Sequence, residues 1–184
     1  MKKIMCLIVV SGFICSISGQ NVHDFDYMAE NGGITITGYR GKEKNIVIPD
    51  TINGLPVTAI GSKAFLRGNL TGAALPPTVT VIGDNAFSYN RLSNIDLPDS
   101  LAKIDYLAFS HNRLTGITLP ESLTYIGINA FYSNRIKNLT LPGSLVYIGD
   151  GAFTKNLLNS VTVPDTVKNF NSYAFDFYVK VTWE

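Results

Sequence analysis

The sequence predicts a mainly β repeat solenoid of about six 22-residue coils joined by short turns or 3-10 segments. Three observations carry this. Phenylalanine recurs at a step of 22, at Phe65, Phe87, Phe109, Phe131, Phe153 and Phe175, each preceded by alanine. A proline ladder with the same step of 22 runs beside it: Pro76, Pro98, Pro120, Pro142 and Pro164. Before each proline stands an apolar-x-apolar triplet, such as Ile117-Thr118-Leu119, with the alternation of a strand. A unit this short cannot bury its own apolar face, so copies must stack to make a continuous core. The stacked strands are expected about 4.8 Å apart as a parallel sheet.

A stack exposes core at its ends and needs caps. Residues 20–45 read as the N-terminal cap, with Phe25, Tyr27, Ile34 and Ile36 as covering groups. The repeats fill residues 46–176. Pro49 belongs to the proline ladder, but it lies 27 residues before Pro76, so five extra residues sit in the first coil. The pair Asn53-Gly54 marks that insertion as a turn. After it each slot becomes a ladder. Ile82, Ile104, Ile126 and Ile148 stack, with Phe170 in the last coil. Leu75, Leu97, Leu119, Leu141 and Val163 form a second column, and the phenylalanines form a spine beside their small alanines. Asn90, Asn112, Asn134 and Asn156 recur three residues after phenylalanine. Their amides are expected to satisfy backbone groups of adjacent coils. Residues 177–184 read as a closing strand, with Trp183 over the last coil.

Residues 1–19 read as a secretory signal peptide: Lys2 and Lys3, a short apolar stretch, then small residues. The apolar part is too short and interrupted to span a bilayer. Both cysteines, Cys6 and Cys15, lie within it, so the mature chain forms no disulfide. A secreted, cell-surface or periplasmic monomer is expected. Loss of the two lysines leaves 13 basic against 14 acidic side chains. That balance argues against nucleic-acid binding, which needs a strong basic field.

The segment Leu114 to Phe131 matches, slot by slot, the pattern LxxIxLPxSLxxIGxxAFxxC/N. It resembles the BspA-like class of leucine-rich repeats. Gly33-Ile34-Thr35-Ile36-Thr37-Gly38-Tyr39 and Ile46-Val47-Ile48-Pro49 resemble that family's usual entry. The resemblance implies a right-handed curved solenoid with a parallel concave sheet. It also implies a bacterial-type surface or secreted interaction protein. Many members carry cysteine where this chain carries the recurring asparagine.

No catalytic constellation is visible, and no cofactor or metal is expected. His23 and His111 stand in unrelated places, and His111 shares its slot with Tyr89, Ser133 and Lys155, which marks a solvated position. No metal-ligand spacing or phosphate loop occurs. Ser100, Ser122 and Ser144 repeat after proline, so they are structural hydroxyls rather than a singular nucleophile. Asp96 is alone in its column, without the clustered acids and bases an enzyme face needs.

Binding candidates lie out of phase with the phenylalanines. Asp96, Thr118, Thr140 and Thr162 should point outward from the triplets, with Asn94 and Asn138 just before them. This small-polar strip suits an extended peptide or a glycan, although solvated threonine is also ordinary strand surface. Arg91, Arg113 and Arg135 form a second stripe. Asp99 and Glu121 could balance it, or it could meet an acidic ligand. Thr51, Ser100 and Thr166 each follow aspartate and precede an apolar residue. That resembles the O-glycosylation signal of some gut bacteria, and it is also turn chemistry. The expected function is a non-catalytic adhesion or recognition module. Its partner would be a host or neighbouring-cell protein, with carbohydrate binding as the second reading.

Overall fold

The computed structural model describes residues 21–170 and 172–184. Upstream it gives only the antiparallel backbone pair β1 (Val9–Val10) and β2 (Phe13–Ile14). The signal-peptide reading, with Cys6 and Cys15, otherwise lies outside the described residues. The chain forms a mainly β solenoid of about seven turns with almost no helix.

The stack begins with a 3-10 turn, Val22–Asp24. Asn21 caps it by accepting the His23 N–H, and the Asp24 carboxylate accepts the Asn21 N–H. Strands β3 (Phe25–Glu30) and β4 (Gly33–Tyr39) pair antiparallel across Asn31 and Gly32, both at positive φ, as a tight hairpin requires. The first coil carries β5 (Asn45–Val47), β6 (Thr51–Ile52) and β7 (Leu55–Ile60). The inserted residues form the β6–β7 hairpin, whose turn places Asn53 at φ 52° and Gly54 at φ 80°. Then come β8 (Gly72–Ala74), β9 (Val81–Ile82), β10 (Lys103–Ile104), β11 (Tyr125–Ile126) and β12 (Tyr147–Ile148). The chain ends with β13 (Ser160–Val163), β14 (Asn169–Phe170), a 3-10 turn at Ser172–Ala174 and β15 (Lys180–Trp183).

A long sheet runs β14-β12-β11-β10-β9-β7-β4-β3, parallel except at β3. It passes through the isoleucine column, including Ile148 beside Phe170, and not through the triplets before proline. The triplets pair only near the two ends, β5 with β8 and β13 with β15. Residues 95–97, 117–119 and 139–141 form no strand. The expected strand position is therefore corrected. Coils are hydrogen-bonded together along the isoleucine and phenylalanine columns, and the triplet side carries no ladder through the middle coils. Near the start, Gly72, Ala73 and Ala74 are small enough for close approach. Near the end, β-branched Val161 and Val163 favour pairing.

The phenylalanine rings lie face to face between coils. Successive centroids from Phe65 to Phe175 are 4.9, 5.4, 5.4, 5.1 and 5.5 Å apart, with planes within 10°. Identical slots on a fixed register impose the same rotamer on each ring, and an offset stack is a favourable aromatic geometry. Backbone bonds hold that register: the Phe87, Phe109, Phe131 and Phe153 N–H groups donate to the next coil's alanine carbonyl at 2.8 Å. Residues two before and two after each ring from Phe65 to Phe153 adopt left-handed backbone, including Leu107 and His111 at φ 55°. Such conformations cost about 1–3 kcal/mol each and persist only where surroundings over-determine them.

The asparagine column supplies that determination. Asn112 Nδ2 donates to the carbonyls of Phe87 (2.9 Å) and Phe109 (3.1 Å), and its Oδ1 accepts the Leu92 N–H (3.0 Å). Asn90, Asn134 and Asn156 repeat the pattern, and all four are buried. Thr78, Ser100, Ser122 and Ser144 donate their hydroxyls at 2.7 Å to carbonyls of the preceding coil, so these are structural groups.

At the start, Phe25 and Tyr39 pack on Phe65 at 6.5 and 6.0 Å. At the other end Trp183 meets Phe170 edge-on at 5.0 Å but stays 51% exposed, so its expected cover is partial. Replacing Phe131, fully buried between two rings, by alanine should cost about 3–5 kcal/mol. A thermal melt checks this, and an unchanged transition would remove the spine from the account.

Candidate interaction site

The triplet side of the stack carries a groove. Its volume is about 580 Å³, and Asn94, Asp96, Thr118, Glu121, Asn138 and Thr140 line it around Ile95, Ile117 and Leu139. Five of the sequence-predicted candidates thus meet in one place. The triplets keep their alternation: Asp96, Thr118 and Thr140 are exposed while Ile95, Leu119 and Leu141 are buried. Hydrogen bonding between coils stops at the groove's margin, where Thr115 N–H donates to Ser93 and Lys137 N–H to Thr115, both at 3.3 Å. Among the described residues, the backbone groups of 94–97, 116–119 and 138–141 make no hydrogen bond within the protein. Backbone donors and acceptors need partners, so these face water or a ligand. Thr162 lies apart in β13, its hydroxyl 3.1 Å from that of Thr182.

The arginine stripe occupies a neighbouring edge. Arg91, Arg113 and Arg135 are exposed, and their N–H groups donate to the carbonyls of Leu70, Leu92 and Leu114 at 2.8, 2.9 and 2.9 Å. The expected balance by Asp99 and Glu121 is not formed. Among the described residues the ion pairs are Arg40–Asp26 (2.7 Å) and Lys103–Asp105 (2.8 Å), while Glu121 lines the groove. Of the glycosylation candidates, Thr51 and Thr166 are exposed. The Ser100 hydroxyl is engaged by the Pro77 and Val79 carbonyls, both at 2.7 Å.

Slot-by-slot reading missed a surface row of aromatic and cationic groups. Tyr89 and His111 stack at 4.1 Å, and His111 meets Tyr132 at 5.4 Å. The Arg67 guanidinium lies 5.1 Å over Tyr89, and the Lys155 ammonium 5.0 Å over Tyr132, within cation–π reach. His111 is therefore half-buried in a stack, a correction to its reading as simply solvated. Tyr132 follows its phenylalanine by one residue while His111 follows by two, so alignment by column hides their contact. On the long sheet, Lys103, Tyr125 and Tyr147 make a shorter row, with Lys103 Nζ 5.0 Å from the Tyr125 ring centroid and the two tyrosine centroids 4.6 Å apart. Among the described residues no three His, Cys, Asp or Glu side chains gather as metal ligands. No helix there is long and apolar enough to cross a membrane.

Burial, and then the positive charge of Lys155, hold the His111 ring below the ordinary histidine pKa. The unfolded chain, with histidine near 6.5, then takes the proton first as pH falls. Stability contributed by this ring is complete above about pH 6.5 and declines below it. An NMR titration should give His111 a midpoint below about 6.5, moving upward in Lys155→Gln. A midpoint at or above that value, or no movement, would contradict the stacked environment.

The sequence profile of the BspA type leucine rich repeat region matches residues 58–181 in six copies. No match is found among curated protein sequences. Among solved structures, the leucine rich repeat protein TpLRR of T. pallidum is 31% identical, with a TM-score of 0.74 over 90% of this chain and 86% of that one. A leucine-rich repeat protein from Bacteroides ovatus is 26% identical, with a TM-score of 0.72 over 91% of this chain and 53% of that one. The pneumococcal vaccine antigen PcpA shares the fold at 22% identity, with a TM-score of 0.67 over 100% of this chain and 51% of that one. The chain spans about half the length of these last two. With its stacked phenylalanines, asparagine column and six matched repeats, the chain belongs to the BspA-type leucine-rich repeat family.

Proposed function

We propose that this chain is a secreted or cell-surface, non-catalytic interaction module that binds an extended segment of a protein partner in the triplet groove. The observation that carries this is the run of unpaired backbone groups at 94–97, 116–119 and 138–141 beside Asp96, Thr118 and Thr140. An extended segment recognises such a surface through its own main chain, with side-chain pockets adding selectivity. Ile95, Ile117 and Leu139 give the groove an apolar floor. The family supports a protein-interaction or surface role, and the signal-type N-terminus supports export. A carbohydrate ligand is the second reading. It is favoured by the carboxylates of Asp96 and Glu121, which could accept sugar hydroxyls.

An array of extracellular-matrix proteins and glycans, probed with the wild-type chain and with Thr118→Trp, tests the proposal. Thr118 is exposed, so the indole fills the groove and should leave the melting transition unchanged. We expect binding to a matrix protein that weakens by about tenfold or more in the variant, as loss of a central contact does. Binding confined to neutral glycans would favour the second reading. Binding unaffected by Thr118→Trp would remove the groove from the function.

A further inference from the structure

We infer that the edge bearing Arg91, Arg113 and Arg135 is a binding site for a linear anionic glycan, sulfated or carboxylated, laid along the solenoid axis. The site is separate from the triplet groove. The three arginines take the same place in consecutive coils, each backbone fixed by its N–H bond to the coil before. Each directly follows a buried asparagine with bonds to two coils, so the row is anchored rigidly. None of the three guanidiniums has an ion-pair partner among the described residues. Like charges held one coil apart repel, and a polyanion relieves that repulsion.

Other cations lie near both ends of the stripe. At one end Arg67 sits over Tyr89, and Lys44 Nζ donates to the Gly68 carbonyl at 3.1 Å. At the other end stands Lys155. Among the described residues Asp176, which accepts the Lys155 backbone N–H at 3.2 Å, is hydrogen-bonded to this run at its end. The edge therefore gathers several cations on a chain whose whole charge is near neutral.

Spacing and covered ring faces select the kind of polyanion. Stacked rings of consecutive coils stand 4.9 to 5.5 Å apart. Side chains on one face of an extended acidic peptide recur at about 6.6 Å, twice the strand rise, and fall out of step within a few coils. Single-stranded nucleic acid binds by stacking its bases on open aromatic faces. Here Tyr89 and His111 cover each other, and Arg67 lies over Tyr89. An extended sugar chain advances by about one ring per coil at this pitch. The guanidinium fork matches the planar oxygens of a carboxylate, and it can meet two oxygens of a sulfate.

Heparin serves as the sulfated probe for the full chain, with polyglutamate and a single-stranded oligonucleotide as competitors. We expect retention on immobilised heparin at low salt and release as salt rises. R91E/R113E/R135E should weaken binding by about tenfold or more, from three exposed contacts. R91Q/R113Q/R135Q should weaken it less and keeps the test valid if the glutamate variant melts early. Thr118→Trp should bind heparin as the wild type does, so failure of the groove proposal and of this one are told apart. The inference is overturned if the wild type is not retained, if the arginine variants bind unchanged, or if Thr118→Trp abolishes binding. It is also overturned if polyglutamate or the oligonucleotide displaces heparin as readily as free heparin does.

Discussion

The asparagine amide between coils is the interaction on which the rest of this structure depends. One side chain must offer two donors and one acceptor to three fixed backbone groups of two coils. Asparagine has that set on a stem short enough to stay buried. Asn112 bonds Phe87, Phe109 and Leu92 at 2.9, 3.1 and 3.0 Å, and its equivalents repeat this almost unchanged. Those bonds fix where each phenylalanine carbonyl lies. The phenylalanine rings then stack in register, and the left-handed backbone beside the rings from Phe65 to Phe153 is held despite its cost. An apolar substitute would leave three buried polar groups unpaired, each costing about 1–3 kcal/mol.

The same constraint explains why the stack opens where it does. Coils bond closely along the isoleucine column and around each Ala-Phe pair. The side bearing the triplets forms no ladder through the middle coils and pairs only near the caps. The resulting surface combines an apolar floor, small polar side chains and unpaired main-chain groups. Beside it the asparagines hold a row of arginines that form no ion pair among the described residues. A regular scaffold thus gives two unlike surfaces, one with unpaired main-chain groups and one with a row of guanidiniums.

Much of this was legible in the sequence, because in-phase residues answer to one environment repeated. The period, the core columns, the asparagine role and the Asn53-Gly54 hairpin all follow from local chemistry and register. The position of the long sheet did not. Ile117-Thr118-Leu119 alternates as a strand does, and its side chains do alternate between inside and outside. Alternation reports which way side chains point, not whether neighbouring coils approach closely enough to pair. The row through Tyr89, His111 and Tyr132 escaped because Tyr132 stands one slot before the other two, and because a varied column was read as plain solvated surface. The arginines were visible as a stripe, but whether Asp99 or Glu121 reached them depended on side-chain placement that spacing alone does not set.

Amide hydrogen exchange tests the central claim most directly: that the coils are locked along two columns and open along the third. The account predicts slow exchange at Phe109, Gly127 and Phe131, whose N–H groups donate between coils. It predicts fast exchange at Ile117, Thr118 and Leu119 and at their counterparts 95–97 and 139–141. Equal protection of the triplets would mean that a continuous ladder closes the groove, and would contradict the account.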